Sequence, residues 1–470
     1  MLRIEVIDAV HSRVTEDDAQ VIQNCLSYPA AFWRPQTVAI NKRTGQPIKK
    51  KVRMDYMKDV FTSRRNGYKY FHTGLVPRIQ QYCAEIDCPS SVLNPMSDIE
   101  LDFSQPYLSD ITLREDQLKL VFDACKNRRG IIQAPTGTGK TVIQMALRSA
   151  FAHYRTLILA HTKSIVEQTF AELNKHGFSN VQIIGAGHSH QRGLFGDTVV
   201  ATMQSFVKIP AMERADYFEV VLVDEAHHVV RPEGVYAKIL RTLLSPIRLG
   251  FTATVPTATE AVLTMEGHLG PVIGQQTIQE AAELEILAKP RIRLLKSTYS
   301  NRVHDIRRYE DVYVEGIVMN RQRNRMIAEC VQDYVKEGKT VLILVTRLEH
   351  GDNLSHILNT VLGVPTEFVE GSTESDAREI VKEAMIQKEQ KCVIATAVWR
   401  EGINIPSLDV VINACGGKSE IMTLQAIGRG LRKTDEKDEV VIVDIFDPSH
   451  YYLVNHFGQR VTLYMDQGWM

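Results

Sequence analysis

Short apolar runs rich in β-branched residues alternate with longer amphipathic stretches from about residue 113 onward. Such runs favour buried strands, whereas apolar positions three and four residues apart favour helices. The predicted strands are residues 130–133, 156–160, 181–185, 198–202, 220–224 and 247–251, and the predicted helices are residues 113–125, 141–154 and 163–177. This alternation predicts a parallel sheet with helices on both faces, which is a doubly wound α/β unit.

The same alternation restarts after a boundary near residues 285–290. The strands predicted there are residues 340–345, 391–396, 409–414 and 439–445, and the helices are residues 320–338, 348–362 and 375–389. Residues 451–470 are expected to add a terminal helix and a strand. We therefore predict an α/β protein with two tandem doubly wound parallel-sheet domains, residues 106–287 and residues 288–470.

The first 105 residues lack this alternation. Residues 37–40 and 48–54 flank the turn sequence NKRTGQP, a pattern that predicts a β-hairpin. We expect residues 1–105 to form a small α+β accessory domain.

Charge is concentrated in this accessory region. Eleven Lys or Arg between residues 42 and 78 face two Asp, so the segment carries +9 and the other residues sum to −10. A surface that binds a polyanion needs such local segregation. The basic residues predicted to contact nucleic acid are Lys49, Lys50, Lys51, Arg53, Arg64 and Arg65. The interleaved rings of Tyr56, Phe61, Tyr68, Tyr70 and Phe71 offer stacking surfaces, but we expect each ring to pack in a core.

Composition narrows the class of protein. The chain has 470 residues, of which 44% are hydrophobic and 24% are charged, as in globular domains. Seven scattered cysteines do not suggest a disulfide framework or a zinc site. Acidic residues near the start and the lack of a long apolar run predict a cytoplasmic protein that is neither secreted nor inserted in a membrane.

A glycine-rich turn, QAPTGTGKT, follows strand 130–133 and precedes a predicted helix. Glycines let backbone N–H groups turn toward phosphate oxygens, while a terminal lysine and hydroxyl suit the β- and γ-phosphates and Mg²⁺. The predicted triphosphate site comprises Pro135, Thr136, Gly137, Thr138, Gly139, Lys140 and Thr141. Ala134 stands where the strict pattern has glycine.

Two acidic residues end the strand VVLVD in the sequence VVLVDEAHH. Asp224 is predicted to hold Mg²⁺, and Glu225 is predicted to activate the attacking water as a general base. No role is assigned to His228, which we expect to be packed or bonded to solvent.

These residues, with others in the same order, resemble the motifs of the superfamily 2 helicases and translocases over residues 113–450. Residues 113–117 resemble the glutamine motif, 224–227 the DEAH motif, 250–254 the coupling motif, 395–406 motif five and 425–432 motif six. The resemblance implies RecA-like domains, ATP hydrolysis coupled to nucleic-acid unwinding, and ATP and Mg²⁺ as cofactors.

The resemblance also implies roles at the ATP site. Gln117, with Arg114 beside it, would read the adenine edge, and Gly402 and Asn404 would contact the nucleotide, although many relatives have Asp in place of Asn404. Motif six supplies Gln425, Arg429 and Arg432 from the second unit. We prefer Arg432 as the arginine that neutralises charge at the γ-phosphate, an effect of roughly 10³- to 10⁵-fold. ATP would then close the two units, and hydrolysis would release them.

Nucleic acid would lie across the face opposite the ATP cleft. The residues implied to contact its phosphate–sugar backbone are His161, Thr162, Thr202, Gln204, Thr346, Arg347 and Thr396. Such contacts position a strand without reading its sequence. Trp399 adjoins motif five, and we expect it to pack rather than to stack on a base.

The segment GYKYFHTGLVPRIQQYC, residues 67–83, resembles the segment that precedes the core in UvsW-type phage branch-migration helicases. This implies an ATP-dependent helicase or translocase that acts as a monomer on forked, Holliday-junction, R-loop or duplex DNA in replication, recombination or repair. Single-strand-binding or recombination proteins would be its partners, in the host cytoplasm if a phage encodes it. Two alternatives stay open: an RNA helicase or RNA-remodelling ATPase, and an ATP-gated nucleic-acid-binding module that does not unwind.

Overall fold

The computed structural model describes residues 1–40, 47–95, 103–188, 195–396, 405–417, 437–466 and 468–470, without the side chains of residues 32–40, 47–53, 375 and 466. Contacts between Cα atoms divide the chain into two compact units. The first unit is Met1–Gln133 with Thr141–Gly274, and the second is Ala134–Lys140 with Gln275–Met470. The accessory segment thus shares a compact unit with the first α/β layer, so boundaries at residues 105 and 287 remain a prediction.

Within its described residues, the accessory segment contains seven strands and two helices. Strands β1 to β7 are Leu2–Val6, His11–Thr15, Ser27–Ile40, Pro47–Asp59, Ser63–Arg65, Tyr68–His72 and Ser90–Leu93, and helices α1 and α2 are Glu16–Ile22 and Val76–Glu85. Five strands form a sheet in the order β5-β6-β2-β1-β7, in which only β1 and β7 run parallel. Alternate residues of β1 are buried, so Leu2, Ile4 and Val6 pack with Phe71 and Ile79.

The predicted hairpin is confirmed and is longer than expected. Strands β3 and β4 pair antiparallel from Ser27 opposite Asp59 to Ile40 opposite Pro47, and residues 41–46 lie outside the described chain. The pair forms a two-stranded sheet of its own. Because an isolated hairpin is marginally stable, its base needs an anchor. The Tyr28 hydroxyl provides one by donating to Glu260 Oε1 at 2.7 Å.

The first α/β layer is a seven-stranded sheet in the order β10-β11-β9-β12-β13-β8-β14. Strands β8 to β14 are Arg129–Gln133, Thr156–Ala160, Val181–Ile184, Thr198–Thr202, Val220–Val223, Ile247–Thr252 and Val272–Gln275. Helices α3 to α9 are Glu115–Asn127, Lys140–Ala150, Lys163–Lys175, Met203–Phe206, Ala211–Arg214, Val235–Leu240 and Thr259–Leu269. The six neighbouring strands from β10 to β8 run parallel, which confirms the predicted sheet.

The second unit contains a six-stranded parallel sheet in the order β15-β20-β19-β16-β18-β17. Strands β15 to β20 are Lys289–Lys296, Val341–Leu344, Thr366–Val369, Cys392–Ala395, Val410–Asn413 and Glu439–Phe446. Helices α10 to α14 are Ile278–Glu283, Tyr309–Tyr313, Arg321–Lys336, Leu348–His356 and Ser375–Ile386. The two RecA-like sheets and the accessory piece confirm the predicted fold class.

The end of the chain corrects one expectation. Tyr451–Asp466 is a helix, as predicted, but the described residues after it, 468–470, form no strand. Trp469 is instead buried, with its ring parallel to that of Tyr464 at 6.0 Å. Arg460 and Tyr464 of this helix both bond to the buried carboxylate of Asp444 in β20, which fixes the helix to the sheet.

Two further observations concern the whole described chain. All seven cysteines are described, and each is a free thiol. No helix within the described ranges has both the length and the apolar character needed to cross a membrane.

Candidate ATP and nucleic-acid sites

Several predicted motifs follow neighbouring parallel strands of the first α/β layer. The glycine-rich loop follows β8, Asp224 follows β12, and Thr254 follows β13, while His161 follows β9 and Gln204 follows β11. The carboxyl ends of parallel strands meet at one edge of a sheet, where α/β proteins bind ligands. The fold therefore gathers these strand ends along one edge.

The glycine-rich loop has the backbone that its sequence predicts. Gly137 and Gly139 have φ angles of 93° and 92°, in the left-handed region that glycine favours. The Thr138 hydroxyl donates to the Pro135 carbonyl at 2.8 Å, and Lys140 Nζ donates to the Ala134 carbonyl at 3.2 Å. Ala134 is not among the residues with positive φ, which explains why alanine is tolerated there.

Asp224 is held by a residue that the sequence analysis missed. Gln144 Nε2 donates to Asp224 Oδ1 at 3.1 Å, and Asp224 N donates to the Leu159 carbonyl at 2.8 Å. Gln144 follows Thr141 by three residues, so both lie on one face of α4. The signal was a polar residue at a buried position of an apolar helix.

Glu225 has an unusual backbone for a residue with a side chain. Its φ and ψ are 48° and 52°, in the left-handed region. Its carboxylate lies 3.3 Å from His227 Nδ1, and the same ring nitrogen lies 3.1 Å from Thr252 Oγ1. The Thr252 hydroxyl also donates to the Thr254 carbonyl at 2.8 Å. The hydroxyl of the coupling motif is therefore bonded to the DEAH histidine, beside the predicted general base.

The oxygen donors fit a magnesium ion. Mg²⁺ usually takes one or two carboxylates and completes its coordination with water and substrate phosphates. Asp224 offers a carboxylate and Thr141 offers a hydroxyl. The described residues contain no cluster of three or more acidic, histidine or cysteine side chains that could hold a metal. A Mg²⁺ ion held by Thr141 and Asp224 would also need oxygen atoms from the nucleotide phosphates and from water.

The glutamine motif has a structural role at the start of α3. Gln117 is buried, and its side-chain oxygen accepts the Arg114 N–H at 3.2 Å. The Arg114 guanidinium makes two bonds of 3.0 Å to Asp116. These bonds fix the helix start, while contact of Arg114 and Gln117 with adenine stays a prediction.

Four predicted nucleic-acid residues of the first unit lie at the ends of neighbouring strands β9 and β11. Thr162 caps α5 by accepting the Ile165 N–H at 3.3 Å, and Gln204 Nε2 donates to the His161 carbonyl at 3.4 Å. Thr202 is only 4% exposed. The accessible members of this group are therefore His161, Thr162 and Gln204.

The predicted contacts of the second unit follow β16 and β18. Thr346 and Arg347 are exposed after β16, and Arg347 forms an ion pair with Glu310 at 2.5 Å. Thr396 follows β18 and is buried, with its N–H donating to the Val369 carbonyl at 3.2 Å. A phosphate would have to compete with Glu310 for Arg347.

The basic segment is partly described. Arg64 and Arg65 are exposed on β5, with Arg64 3.9 Å from Asp59. Strand β4 contains Lys49, Lys50, Lys51 and Arg53, whose side chains are not among those that the structure describes. Core packing is confirmed for Phe71, which is fully buried, and is wrong for Tyr56, which is 44% exposed. Tyr56 lies on β4 of the two-stranded sheet.

Several predicted site residues lie outside the described chain, namely Trp399, Gly402, Asn404, Gln425, Arg429 and Arg432. Their roles stay predictions.

Comparison with known proteins agrees with this geometry. The family model "Type III restriction enzyme, res subunit" matches residues 105–257, and the model "Helicase conserved C-terminal domain" matches residues 322–434. The chain is 25% identical over 385 residues to the DNA 3'-5' translocase XPB2 of Sulfurisphaera tokodaii, covering 72% of this chain and 83% of the relative.

A second relative is the ATP-dependent DNA helicase uvsW of Enterobacteria phage T4. It is 21% identical over 439 residues, which cover 84% of this chain and 86% of that protein. Among solved structures, S. cerevisiae Dbp5 bound to RNA and ADP BeF3 shares the fold, with a TM-score of 0.53, 16% identity, and coverage of 78% of this chain and 94% of that one. The chain belongs to the superfamily 2 helicases and translocases, enzymes that hydrolyse ATP to move along or unwind nucleic acid, and it is related to uvsW.

Proposed function

We propose that this enzyme is an ATP-dependent DNA translocase that unwinds or branch-migrates forked, four-way-junction or R-loop DNA in replication, recombination or repair. The observation that carries the proposal is the basic accessory segment, which belongs to the same compact unit as the first α/β layer. A duplex gripped by this segment would be held at a fixed position relative to β8 and β12. The names of the two DNA-acting relatives support DNA as the substrate.

The accessory segment docks on helix α9 through specific contacts. Arg78 makes two bonds to Glu266, of 2.5 and 2.9 Å, and Glu266 is largely buried. An added Cβ on Gly74 would lie 2.0 Å from the Glu266 carbonyl oxygen, so the two backbones are in close contact. Through these contacts, a force on DNA held by the segment would be passed to α9.

The hairpin is the part of this segment best suited to meet DNA. Tyr56 and Met57 are 44% and 62% exposed, next to the exposed Lys58. Apolar and aromatic side chains contact or separate bases, and basic side chains contact phosphates. We propose that the hairpin grips the duplex through Lys49, Lys50, Lys51 and Arg53 and separates strands at the branch point.

The chemistry follows from the described loop residues. Lys140 would neutralise charge on the β- and γ-phosphates, and Thr141 and Asp224 would hold Mg²⁺. A bound Mg²⁺ would supply positive charge that stabilises the charge developing on the phosphates. Glu225 would accept the proton of the attacking water. Arg432, with Arg429, would supply further positive charge at the γ-phosphate.

We propose that the protein acts as a monomer on DNA in the cytoplasm, with single-strand-binding or recombination proteins as partners. The strand contacts at His161, Thr162 and Gln204 would be independent of sequence, because they touch only the backbone.

The test is ATP hydrolysis and strand separation on forks, four-way junctions, R-loops, linear duplexes and matched RNA duplexes. We expect branched DNA to stimulate hydrolysis most. Lys140→Ala should abolish unwinding and leave DNA binding within about twofold, since a lost phosphate contact removes transition-state stabilisation rather than DNA contacts. Strong stimulation by RNA but not DNA would contradict the DNA assignment, and unwinding by Lys140→Ala would contradict the motor assignment.

A further inference from the structure

Three histidine rings of the first unit lie side by side, one pair stacked and the other tilted. The ring of His161 lies nearly parallel to that of His228, with centroids 3.9 Å apart and an interplanar angle of 13°. The ring of His227 lies 4.3 Å from His228 on a tilt of 38°. Tyr236 of α8 is also parallel to His228, at 6.4 Å and 4°. His228, which has no assigned role, is the middle member of this histidine stack of His161, His228 and His227.

The two ends of the histidine stack reach two different sites. At one end, His227 Nδ1 lies 3.3 Å from the carboxylate of Glu225 and 3.1 Å from the Thr252 hydroxyl. At the other end, His161 begins the loop that contains Thr162, and its carbonyl accepts a bond from Gln204. The stack therefore spans the distance between the predicted general base and the proposed strand contacts.

The strand order explains why this side-chain connection is available. His161 follows β9 and His228 lies beyond β12, and these two strands are parallel neighbours. Stacked rings have a defined relative geometry, so a shift of one ring is transmitted to the next. Close packing also favours a change between discrete arrangements over gradual deformation.

We propose that His228 is a positioning residue that couples nucleic-acid contact at His161 and Thr162 to the orientation of Glu225. A strand that contacts this loop shifts the ring of His161, His228 follows, and His227 then aligns the Glu225 carboxylate with the attacking water. The proposal rests on the proposed function, because it requires hydrolysis that DNA stimulates.

The test compares substitutions that keep or remove the central ring. His228→Phe keeps a ring, whereas His228→Leu removes it and keeps apolar volume. ATP turnover is measured without DNA and with saturating four-way junction, and junction affinity is measured by fluorescence anisotropy. We expect His228→Leu to reduce DNA-stimulated turnover about tenfold, a usual size for coupling between sites. Turnover without DNA and junction affinity should change less than about twofold, and His228→Phe should keep most of the stimulation.

A double-mutant cycle and a matched control sharpen the result. At saturating junction, the turnover of the double variant His161→Leu/His228→Leu should be no lower than that of His228→Leu, because both substitutions break one connection. Loss of the strand contact at His161 should appear as weaker junction affinity. His153, exposed after α4, provides the control His153→Leu, which should change nothing. If His228→Leu does not fold, His228→Gln replaces it, since glutamine keeps hydrogen-bonding groups without a ring.

Three outcomes would overturn the coupling role. The first is unchanged stimulation by DNA in His228→Leu. The second is an equal loss of turnover with and without DNA, which indicates a purely structural ring. The third is a loss of stimulation in the double variant equal to the product of the two single losses. Absence of stimulation in the unsubstituted protein by any DNA would overturn the proposed function as well, so the two failures are distinguishable.

Discussion

At the scale of single residues, the catalytic groups are oriented by neighbours that do not take part in the chemistry. Gln144 donates to one oxygen of Asp224, and His227, which is bonded to Thr252, lies 3.3 Å from the carboxylate of Glu225. Glu225 itself has a left-handed backbone, a conformation that costs energy and is retained mainly where function requires it. The site therefore depends on the residues that contact the catalytic carboxylates as much as on the predicted motif residues.

The Gln144 contact gives the first prediction at this scale. Gln144→Leu keeps the helix but removes the hydrogen bond to Asp224 Oδ1, so the carboxylate loses one of the contacts that orient it. Loss of such an outer contact typically weakens metal affinity about 10- to 100-fold. We expect the Mg²⁺ concentration for half-maximal ATP hydrolysis to rise by about tenfold, with junction affinity unchanged. Gln168→Leu, at an exposed position of α5, is the matched control. An unchanged Mg²⁺ requirement in Gln144→Leu would refute this role for Gln144.

At the scale of elements, the sequence predicts those strands whose residues are apolar on both faces. Strands β9, β11 and β12 are buried throughout, and their apolar runs stand out. Strand β15 was missed because its residues alternate between exposed and partly buried and include charges. Strands of the accessory sheet were missed for the same reason, since only alternate residues of β1 and β6 are buried.

The site residues also include some that were predicted from the sequence and some that were missed. The glycine-rich loop and the pair Asp224–Glu225 could be predicted because their chemistry requires specific residue types at fixed spacing. Gln144 was missed although its polar side chain stands in an apolar helix. Its pairing with Asp224, and the contact of His228 with His161, depend on which elements are neighbours in space. The tight docking of Gly74 on α9 was equally invisible, since it joins residues far apart in the chain.

Helix α9 and the turn at Gly74 give the prediction at the element scale. In Gly74→Ala, the new Cβ would meet the backbone oxygens of Glu266 and Gly267 at 2.0 and 2.7 Å, so the accessory segment must move away from α9. Overpacking of this kind costs about 1–3 kcal/mol. We expect a lower urea midpoint of unfolding and faster proteolysis of the segment, together with reduced unwinding.

Gly458→Ala is the matched control. Gly458 lies inside the terminal helix with nothing within 4 Å of an added Cβ, so alanine there should raise stability by up to about 1 kcal/mol. If Gly74→Ala were as stable as Gly458→Ala, close docking of the accessory segment on α9 would be ruled out.

At the scale of the whole molecule, each compact unit buries histidines in surroundings that disfavour a positive charge. His72 and His268 have ring centroids 4.3 Å apart between the accessory sheet and α9. Beside them, Arg248 is buried and donates to the carbonyls of Ser245, Leu240, His268 and Leu243. Burial, then the charges of His11, Arg241 and Arg248, lowers the pKa of His72 to about 4. In the second unit, burial and then Arg323 lower the pKa of His350 to about 3.

These pKa values predict how stability changes with pH. In the unfolded chain a histidine takes up its proton near pH 6.5, whereas folded His72 stays neutral down to about pH 4. The unfolded state therefore binds more protons between these values, so stability is full above about pH 6.5 and is lost as the pH falls. From pH 7 to pH 5, His72 should account for about 2 kcal/mol of the lost unfolding free energy.

Urea unfolding of the unsubstituted protein and of His72→Phe, each at pH 7 and at pH 5, measures this loss. His72→Phe should lower the acid sensitivity by that amount, whereas the exposed control His153→Phe should not change it. Equal acid sensitivity of His72→Phe and the unsubstituted protein would show that protonation of His72 is not what destabilises the first unit in acid.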